Sequence, residues 1–279
     1  MLKARVLTAL VMLLVFVPIT LFAPLGIFGA LIAVVLVFAA WEWARLLKLQ
    51  GWAPVVYALV AALVLLFSVL ASRTAATSPL GLYKAAGLFW LLLVPYIFIR
   101  RPVLAQGAWR VFMLVVGILL FLACWHAIVA ARVLGVGFVL SLLLVVWLAD
   151  IGAYFAGRRF GKRKLALTIS PGKSWEGAIG GWLLVMIVAA VFMATAWWAP
   201  TLFLVYKVHF GVVRALVLVT VLVIFSVLGD LFESLLKRQA GVKDSSALLP
   251  GHGGVLDRID ALLPVLPIAM YFLYFAMQR

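Results

Sequence analysis

Long apolar segments recur along the whole chain and are separated by short polar connections. A helix needs about 20 mainly apolar residues to cross about 30 Å of hydrocarbon. Nine segments reach or approach that length: 6–23, 25–44, 54–71, 85–99, 111–131, 133–157, 178–199, 211–236 and 261–277. The alternating ten-residue segments of a transmembrane β-barrel are absent. The pattern therefore predicts an all-α, polytopic helical membrane protein with about nine transmembrane helices.

The distribution of basic residues predicts the orientation of these helices. If the N-terminus is cytoplasmic, 17 of the 23 lysines and arginines fall in connections on the cytoplasmic side. Short cytoplasmic loops of membrane proteins carry such an excess of positive charge. We therefore expect a cytoplasmic N-terminus, and nine spans then place both long polar loops, 158–177 and 237–260, on the cytoplasmic face.

Composition supports the membrane assignment and narrows the partners. Hydrophobic residues make up 68% of the 279-residue chain and charged residues 11%, less than half of the roughly 25% typical of soluble domains. The net charge of +15 would suggest nucleic acid in a soluble protein. Here the basic residues lie in loops between spans, as membrane topology requires. We therefore expect no nucleic acid and favour anionic lipid head groups and nucleotide phosphates as partners.

Two polar features precede the main cluster. Asp150 lies inside the sixth predicted span, where a carboxylate should face the bundle interior or a wet cavity because charge in lipid is costly. A buried structural ion pair is the alternative. In Ser170–Gly177, Pro171 and Gly172 predict a turn, and Ser174 can cap a helix that begins near Trp175. Such a helix start beside Lys173 can bind phosphate, although an ordinary capped loop fits as well.

The stretch 229–260 contains most of the polar chemistry of the chain. It holds five of the eight acidic residues, namely Asp230, Glu233, Asp244, Asp257 and Asp260. It also holds basic residues and one of three histidines, namely Lys237, Arg238, Lys243, Arg258 and His252. Helical spacing places Asp230 and Lys237 on one face, and Asp257 and Asp260 share another. The adjacent glycines Gly253 and Gly254 allow close approach of a ligand.

Carboxylates beside basic residues suggest a magnesium and phosphate site. Mg²⁺ is usually held by one or two carboxylates together with substrate phosphates, and lysine and arginine can neutralise a triphosphate. Zinc is not expected, because no cysteine and histidine cluster has ligand spacing. A salt-bridged loop that closes two helices is the structural alternative.

Residues 234–260, SLLKRQAGVKDSSALLPGHGGVLDRID, resemble the signature of the phosphatidate cytidylyltransferases (CDP-diacylglycerol synthases). The family pattern is approximately S-x-x-K-R, four residues, K-D, and then H-G-G-x-x-D-R-x-D. All its elements are present: Ser234, Lys237, Arg238, Lys243, Asp244, His252, Gly253, Gly254, Asp257, Arg258 and Asp260. Residues 170–177 resemble a second polar motif of the family, with Ser174 where threonine or serine is expected.

The resemblance implies a reaction in which CTP and phosphatidic acid give CDP-diacylglycerol and pyrophosphate, with Mg²⁺ as cofactor. It implies metal binding by Asp230 and Asp257, and leaves a second metal or a monovalent cation open. The implied catalytic residues are Asp230, Lys237, Asp257 and Asp260. The implied substrate-binding residues are Lys173, Ser174, Ser234, Arg238, Lys243, Asp244, His252, Gly253, Gly254 and Arg258.

The resemblance also implies location and assembly: a multi-pass protein of a bacterial cytoplasmic (inner) membrane, an active site on the cytoplasmic face, and a homodimer. We divide the chain into N-terminal transmembrane scaffold helices, 1–132, and a catalytic transmembrane region, 133–279, that contains both polar loops. One alternative is a CTP-dependent kinase of a polyprenol or similar lipid, which would release CDP. Another is a phospholipid transporter, although polar residues clustered toward one face favour interfacial chemistry. The sequence pattern of CDP-alcohol phosphatidyltransferases is absent.

Overall fold

The computed structural model describes residues 2–72, 79–195, 198 and 200–278. These residues form twelve α-helices and one short hairpin. In order they are α1 Leu2–Phe22, α2 Leu25–Leu46, α3 Ala53–Ser72, α4 Leu80–Leu88, α5 Val94–Arg100, α6 Gly107–Leu134, α7 Val136–Phe160, β1 Lys164–Ala166, β2 Ser170–Ser174, α8 Trp175–Thr195, α9 Leu202–Phe210, α10 Val212–Ala240, α11 Leu256–Ile259 and α12 Leu262–Met277. A π-helical turn, Phe89–Leu93, joins α4 to α5 without a break.

The predicted polytopic helical membrane protein is confirmed. Within the described residues, eight helical runs are long and apolar enough to cross a membrane, and α1 contributes a shorter apolar run, Val6–Phe22. The segments α4 to α5 form one such run, Leu80–Arg100, and α11 with α12 forms another, Leu256–Met277. The number of nine spans and the cytoplasmic N-terminus stay predictions.

The polar connections differ from the prediction in three respects. Helix α10 continues to Ala240, so the second loop begins at Gly241, whose positive φ of 81° ends the helix. The first loop contains the antiparallel strands β1 and β2, which the all-α prediction missed, and Pro171 and Gly172 lie in β2 instead of forming the predicted turn. The short helix α9 lies between the predicted spans 178–199 and 211–236, where no helix was predicted. Residues 196, 197 and 199, at the end of the predicted span 178–199, lie outside the described residues.

Glycines allow the helices that carry the polar loops to pack closely. A Cβ atom on Gly181 of α8 would overlap the carbonyl oxygen of Ala149 on α7. A Cβ on Gly229 of α10 would lie 2.6 Å from the carbonyl oxygen of Asp260 and 2.9 Å from Cγ of Pro264. Helices α7, α8 and α10 and the α11–α12 run therefore approach one another through backbone contacts, which brings their polar residues together.

An aromatic cluster packs α2 and the π turn against α10. The ring of Phe232 on α10 lies 6.0 Å from Trp43 of α2, 5.6 Å from Phe89 and 5.5 Å from Trp90, between ring centroids. All four side chains are buried. Phe232 lies between Asp230 and Glu233, so this cluster supports the helix segment that carries the candidate site.

Candidate functional site

A cleft of about 450 Å³ lies between α7, α8, β2 and α10. Three successive turns of α7 contribute Asp150, Tyr154 and Arg158 to its lining, and Lys173 and Asp230 lie across it. Asp150 lines this cleft, which agrees with the prediction that it faces the bundle interior or a wet cavity and not lipid. The cleft therefore brings carboxylates and basic groups together within membrane-spanning helices, where isolated charge would be unfavourable.

The start of α8 positions Lys173 and Ser174. The hydroxyl of Ser174 accepts a hydrogen bond from the Gly177 amide at 3.2 Å, so the predicted cap at Trp175 is confirmed. The Lys173 ammonium forms an ion pair with Oδ2 of Asp230 on α10. Glu176, in the first turn of α8, accepts the amides of Lys162 and Arg163. These contacts hold the loop before β1 against α8 and the hairpin against α10.

Asp257 is the most heavily hydrogen-bonded carboxylate of the signature. Its Oδ2 accepts the Ser245 amide at 2.9 Å, the Ser245 hydroxyl at 2.9 Å and the Gly254 amide at 2.7 Å. Its Oδ1 accepts from Nζ of Lys237 at 2.5 Å. These four donors hold Asp257 in one orientation, with its side chain 5% exposed.

Lys237 bridges two carboxylates in the last turn of α10, at the end of the helix that is predicted to face the cytoplasm. Besides Asp257, its Nζ lies 2.5 Å from Oε2 of Glu233, one turn earlier on the same helix. The side chains of Lys237 and Glu233 are 14% and 4% exposed. An ammonium group that is shared by two buried acids compensates much of the charge that burial would otherwise penalise.

Charged side chains of the cleft lie near charged side chains of the signature loop. Asp230 lies close enough to both Asp150 and Asp260 for their charges to interact. Arg258 interacts in the same way with Asp150. The Nε of Arg238 donates to the carbonyl oxygen of Ile169 at 3.3 Å. The two long polar loops, which the sequence predicted to share one face, therefore form one continuous polar region.

The remaining predicted residues differ in how firmly they are held. Lys243, Asp244 and Arg258 are exposed. The hydroxyl of Ser234 donates to Oδ1 of Asp230 at 3.4 Å, a long hydrogen bond. Nδ1 of His252 is buried and has no hydrogen-bond partner within the described part of the chain. A ligand that supplies an acceptor or donor there would satisfy this atom.

The chemistry of Asp230 and Asp257 fits a hard cation. Carboxylate oxygens are the ligand atoms that Mg²⁺ prefers. Each of these two carboxylates is paired with a lysine ammonium group. The structure pairs them with different lysines rather than with each other. The described residues contain no group of three or more His, Cys, Asp or Glu side chains that could hold a metal ion, so a Mg²⁺ ion beside Asp230 or Asp257 would need phosphate oxygens to complete its coordination.

Sequence reasoning missed Glu42 of α2. This carboxylate is fully buried and accepts four hydrogen bonds from residues 245–256, two from serine hydroxyls and two from backbone amides. One sequence signal could have found it, because Glu42 is the only acidic residue among residues 1–149. An acid that stands alone in a membrane-spanning segment is expected to have a partner.

Comparison with known proteins assigns the chain to a family. The model of the cytidylyltransferase family matches residues 3–276, which is nearly the whole chain. The protein therefore belongs to the cytidylyltransferase family.

Named relatives are consistent with this assignment. The phosphatidate cytidylyltransferase of Pseudomonas aeruginosa is 38% identical over 286 residues, covering 99% of this chain and 98% of that protein. The phosphatidate cytidylyltransferase of Haemophilus influenzae is 45% identical over 152 residues, covering 51% of this chain and 48% of that protein. The enzyme of that name from Bacillus subtilis is 41% identical over 155 residues, covering 54% and 52%.

Proposed function

We propose that the protein transfers the cytidylyl group of CTP to phosphatidic acid, giving CDP-diacylglycerol and pyrophosphate. The observation that carries the proposal is the joining of both polar loops into one region of lysines, arginines and carboxylates at one end of membrane-spanning helices. Membership of the cytidylyltransferase family and a full-length relative with this name support it.

The cleft suits the lipid substrate. It opens between membrane-spanning helices, and Tyr154 beside it is an exposed aromatic residue. Arg158 and Lys173 line the same cleft, so they can bind the phosphate of phosphatidic acid while its acyl chains stay in the bilayer. Arg158 is the last of the three α7 residues along the cleft, which places positive charge toward the end of the helix where a head group would lie.

The signature loop suits the nucleotide. Lys237 and Arg238 lie in the last turn of α10, and Lys243 and Arg258 are exposed. Nδ1 of His252 has no hydrogen-bond partner among the described residues. These groups would bind the triphosphate, and the backbone at Gly253 and Gly254 can approach it closely.

The transfer step needs little proton chemistry. A phosphatidate oxygen attacks the α-phosphorus of CTP in line, a new P–O bond forms, and the bond to the bridging oxygen breaks so that pyrophosphate leaves with the electron pair. A phosphate monoester loses its second proton near pH 6, so the attacking oxygen is ionised at neutral pH. The residues of the site therefore act mainly by positioning both phosphates and by neutralising charge.

The cofactor belongs to the same proposal. Asp230 and Asp257 would hold Mg²⁺, which would neutralise the negative charge of the phosphates. Lys173 and Lys237, which pair with these carboxylates, would bind phosphate. Asp260, near Asp230, would be a third acid in the same region. The inner membrane of a bacterium, a cytoplasmic active site and a homodimer are parts of the proposal that follow from the family resemblance.

A product assay tests the proposal. Purified protein in lipid is given phosphatidic acid, Mg²⁺ and CTP labelled at the α-phosphate. We expect the label to enter the lipid phase together with an equal amount of pyrophosphate, and to be lost in Asp257→Asn or on chelation. Lys84→Met, a charge removal at an exposed position of α4, is the matched control. Labelled CDP without labelled lipid would instead indicate a lipid kinase, and neither product would refute both enzymes.

A further inference from the structure

Glu42 is a buried carboxylate in the last two turns of α2, far in sequence from the signature. Its exposed fraction is zero. A buried carboxylate is strongly unfavourable unless hydrogen bonds or opposite charge compensate it. The hydrogen-bond donors to Glu42 therefore show which part of the protein this carboxylate holds in place.

Within the described residues, all four hydrogen bonds to Glu42 come from the segment that leads to Asp257. Its Oε1 accepts the Ser246 hydroxyl at 2.5 Å and the Val255 amide at 3.0 Å. Its Oε2 accepts the Ser245 hydroxyl at 3.1 Å and the Leu256 amide at 2.6 Å. Two donors come from the beginning of the loop and two from its end, so one side chain ties both ends of the loop to α2.

The hydrogen bonds of Glu42 are close to Asp257 both along the chain and in space. The amides that Glu42 accepts belong to the two residues immediately before Asp257 in the chain. The Ser245 hydroxyl lies within hydrogen-bond distance of both carboxylates, 3.1 Å from Glu42 and 2.9 Å from Asp257. A change at Glu42 would therefore shift the backbone that carries Asp257 and also one of its hydrogen-bond donors.

Gly254 shows how close the approach is. A Cβ atom at this position would overlap both the Ser245 hydroxyl and the Glu42 carboxylate. The glycine is therefore needed where the loop backbone passes Glu42, and this requirement is separate from any approach to a nucleotide.

We infer that Glu42 is a positioning residue for cytidylyl transfer, acting through the loop to fix Asp257. The inference rests on the proposed function for its catalytic part. It assigns an essential role to a residue of α2, outside the signature and 215 positions before Asp257.

The test compares Glu42→Gln with Thr8→Val. The glutamine keeps the shape but turns one acceptor oxygen into an NH₂ group, which then faces two donors, at least one of them a backbone amide that cannot reverse its role. Thr8→Val removes a different hydrogen bond to the same loop, from the Thr8 hydroxyl to the Pro250 carbonyl oxygen, and leaves Glu42 intact.

Two readouts separate positioning from general stability. We expect kcat of Glu42→Gln to fall about 100-fold, the order of loss that a misplacement of about 1 Å causes, while KM for phosphatidate is unchanged. We also expect faster hydrogen exchange at the amides of residues 245–256, with exchange in α6 and α7 unchanged. Thr8→Val should keep nearly full kcat.

A double-mutant cycle with Ser245→Ala adds a third readout. Because Glu42 and Asp257 share the Ser245 hydroxyl, the effects of Glu42→Gln and Ser245→Ala on kcat should be clearly less than multiplicative. Independent effects would contradict the shared pathway.

Defined outcomes would overturn the inference. Wild-type kcat in Glu42→Gln would refute the positioning role, and faster exchange throughout the helices would replace it with a general role in stability. Suppose that Glu42→Gln speeds hydrogen exchange only at residues 245–256, and that the wild-type protein transfers no cytidylyl group. These two results together would overturn the proposed function and the catalytic part of the inference. In that case the exchange data would still identify what holds the loop.

Discussion

Lys237 offers a prediction about stability that does not depend on substrate. Its ammonium lies 2.5 Å from an oxygen of Glu233 and 2.5 Å from an oxygen of Asp257. All three side chains are 14% exposed or less. Replacing Lys237 with methionine keeps most of the apolar stem and removes the only ammonium group that the structure places on this pair of acids within the described residues.

The expected magnitude follows from the burial of both acids. Removing one partner of a buried ion pair typically costs about 3–5 kcal/mol, because a charge is left uncompensated. Asp257 keeps three other donors, whereas within the described part of the chain neither oxygen of Glu233 has a hydrogen bond besides its ion pair. Most of the cost should therefore arise at Glu233. For a chain of this size we expect the melting temperature to fall by about 10 °C.

Glu233→Gln supplies the internal control. It should destabilise less than Lys237→Met, since Lys237 retains Asp257. The double variant Glu233→Gln with Lys237→Met should be more stable than Lys237→Met alone, because the second change removes the uncompensated acid.

The assay is heating in detergent, followed by size-exclusion chromatography of the protein that remains monodisperse, without substrates or metal. A double variant less stable than Lys237→Met would refute the reasoning, because it would show that Glu233 does not carry the lost charge compensation. A Lys237→Met protein that melts like the wild type would show that the site is well hydrated and the ion pairs are weak.

Three further changes test the packing and capping around the site. Ser174→Ala removes the cap of α8 and should lower stability by about 1 kcal/mol, measured by thermal melting, while Ser174→Asp should retain most of it. Gly254→Ala should displace the loop, since its Cβ overlaps two side chains, and should reduce kcat strongly with unchanged helix content by circular dichroism. Gly181→Ala should force α7 and α8 apart, since its Cβ meets the Ala149 carbonyl, and should lower the yield of monodisperse protein. Gly81→Ala, with open space around its Cβ, is the control and should be neutral or slightly stabilising; equal losses in all three glycine variants would contradict the packing argument.

Local features of the site were predictable because they depend on neighbouring residues. The cap by Ser174 and the helix that follows it are set by short-range backbone preferences, and the structure contains them. The turn predicted at Pro171 and Gly172 is not found there, because both residues lie in strand β2, which pairs with β1. The position of Asp150 toward a cleft followed from the cost of exposing a carboxylate to lipid. The span 211–236 was predicted to end four residues before α10 does. The charges of Lys237 and Arg238 suggested that the helix leaves the membrane there, whereas it continues to Ala240.

By itself the sequence determined that the chain crosses the membrane repeatedly, because apolar segments of spanning length leave no soluble alternative. It also determined where the polar chemistry lies, because few charged residues are available and most acids fall in 229–260. Only the tertiary structure decided which of these residues meet. Glu42 and Val255 are 213 positions apart, and Arg238 and Ile169 are 69 apart. Such pairs depend on how the helices pack, and close backbone approaches such as those at Gly181 and Gly229 leave no periodic pattern in the sequence.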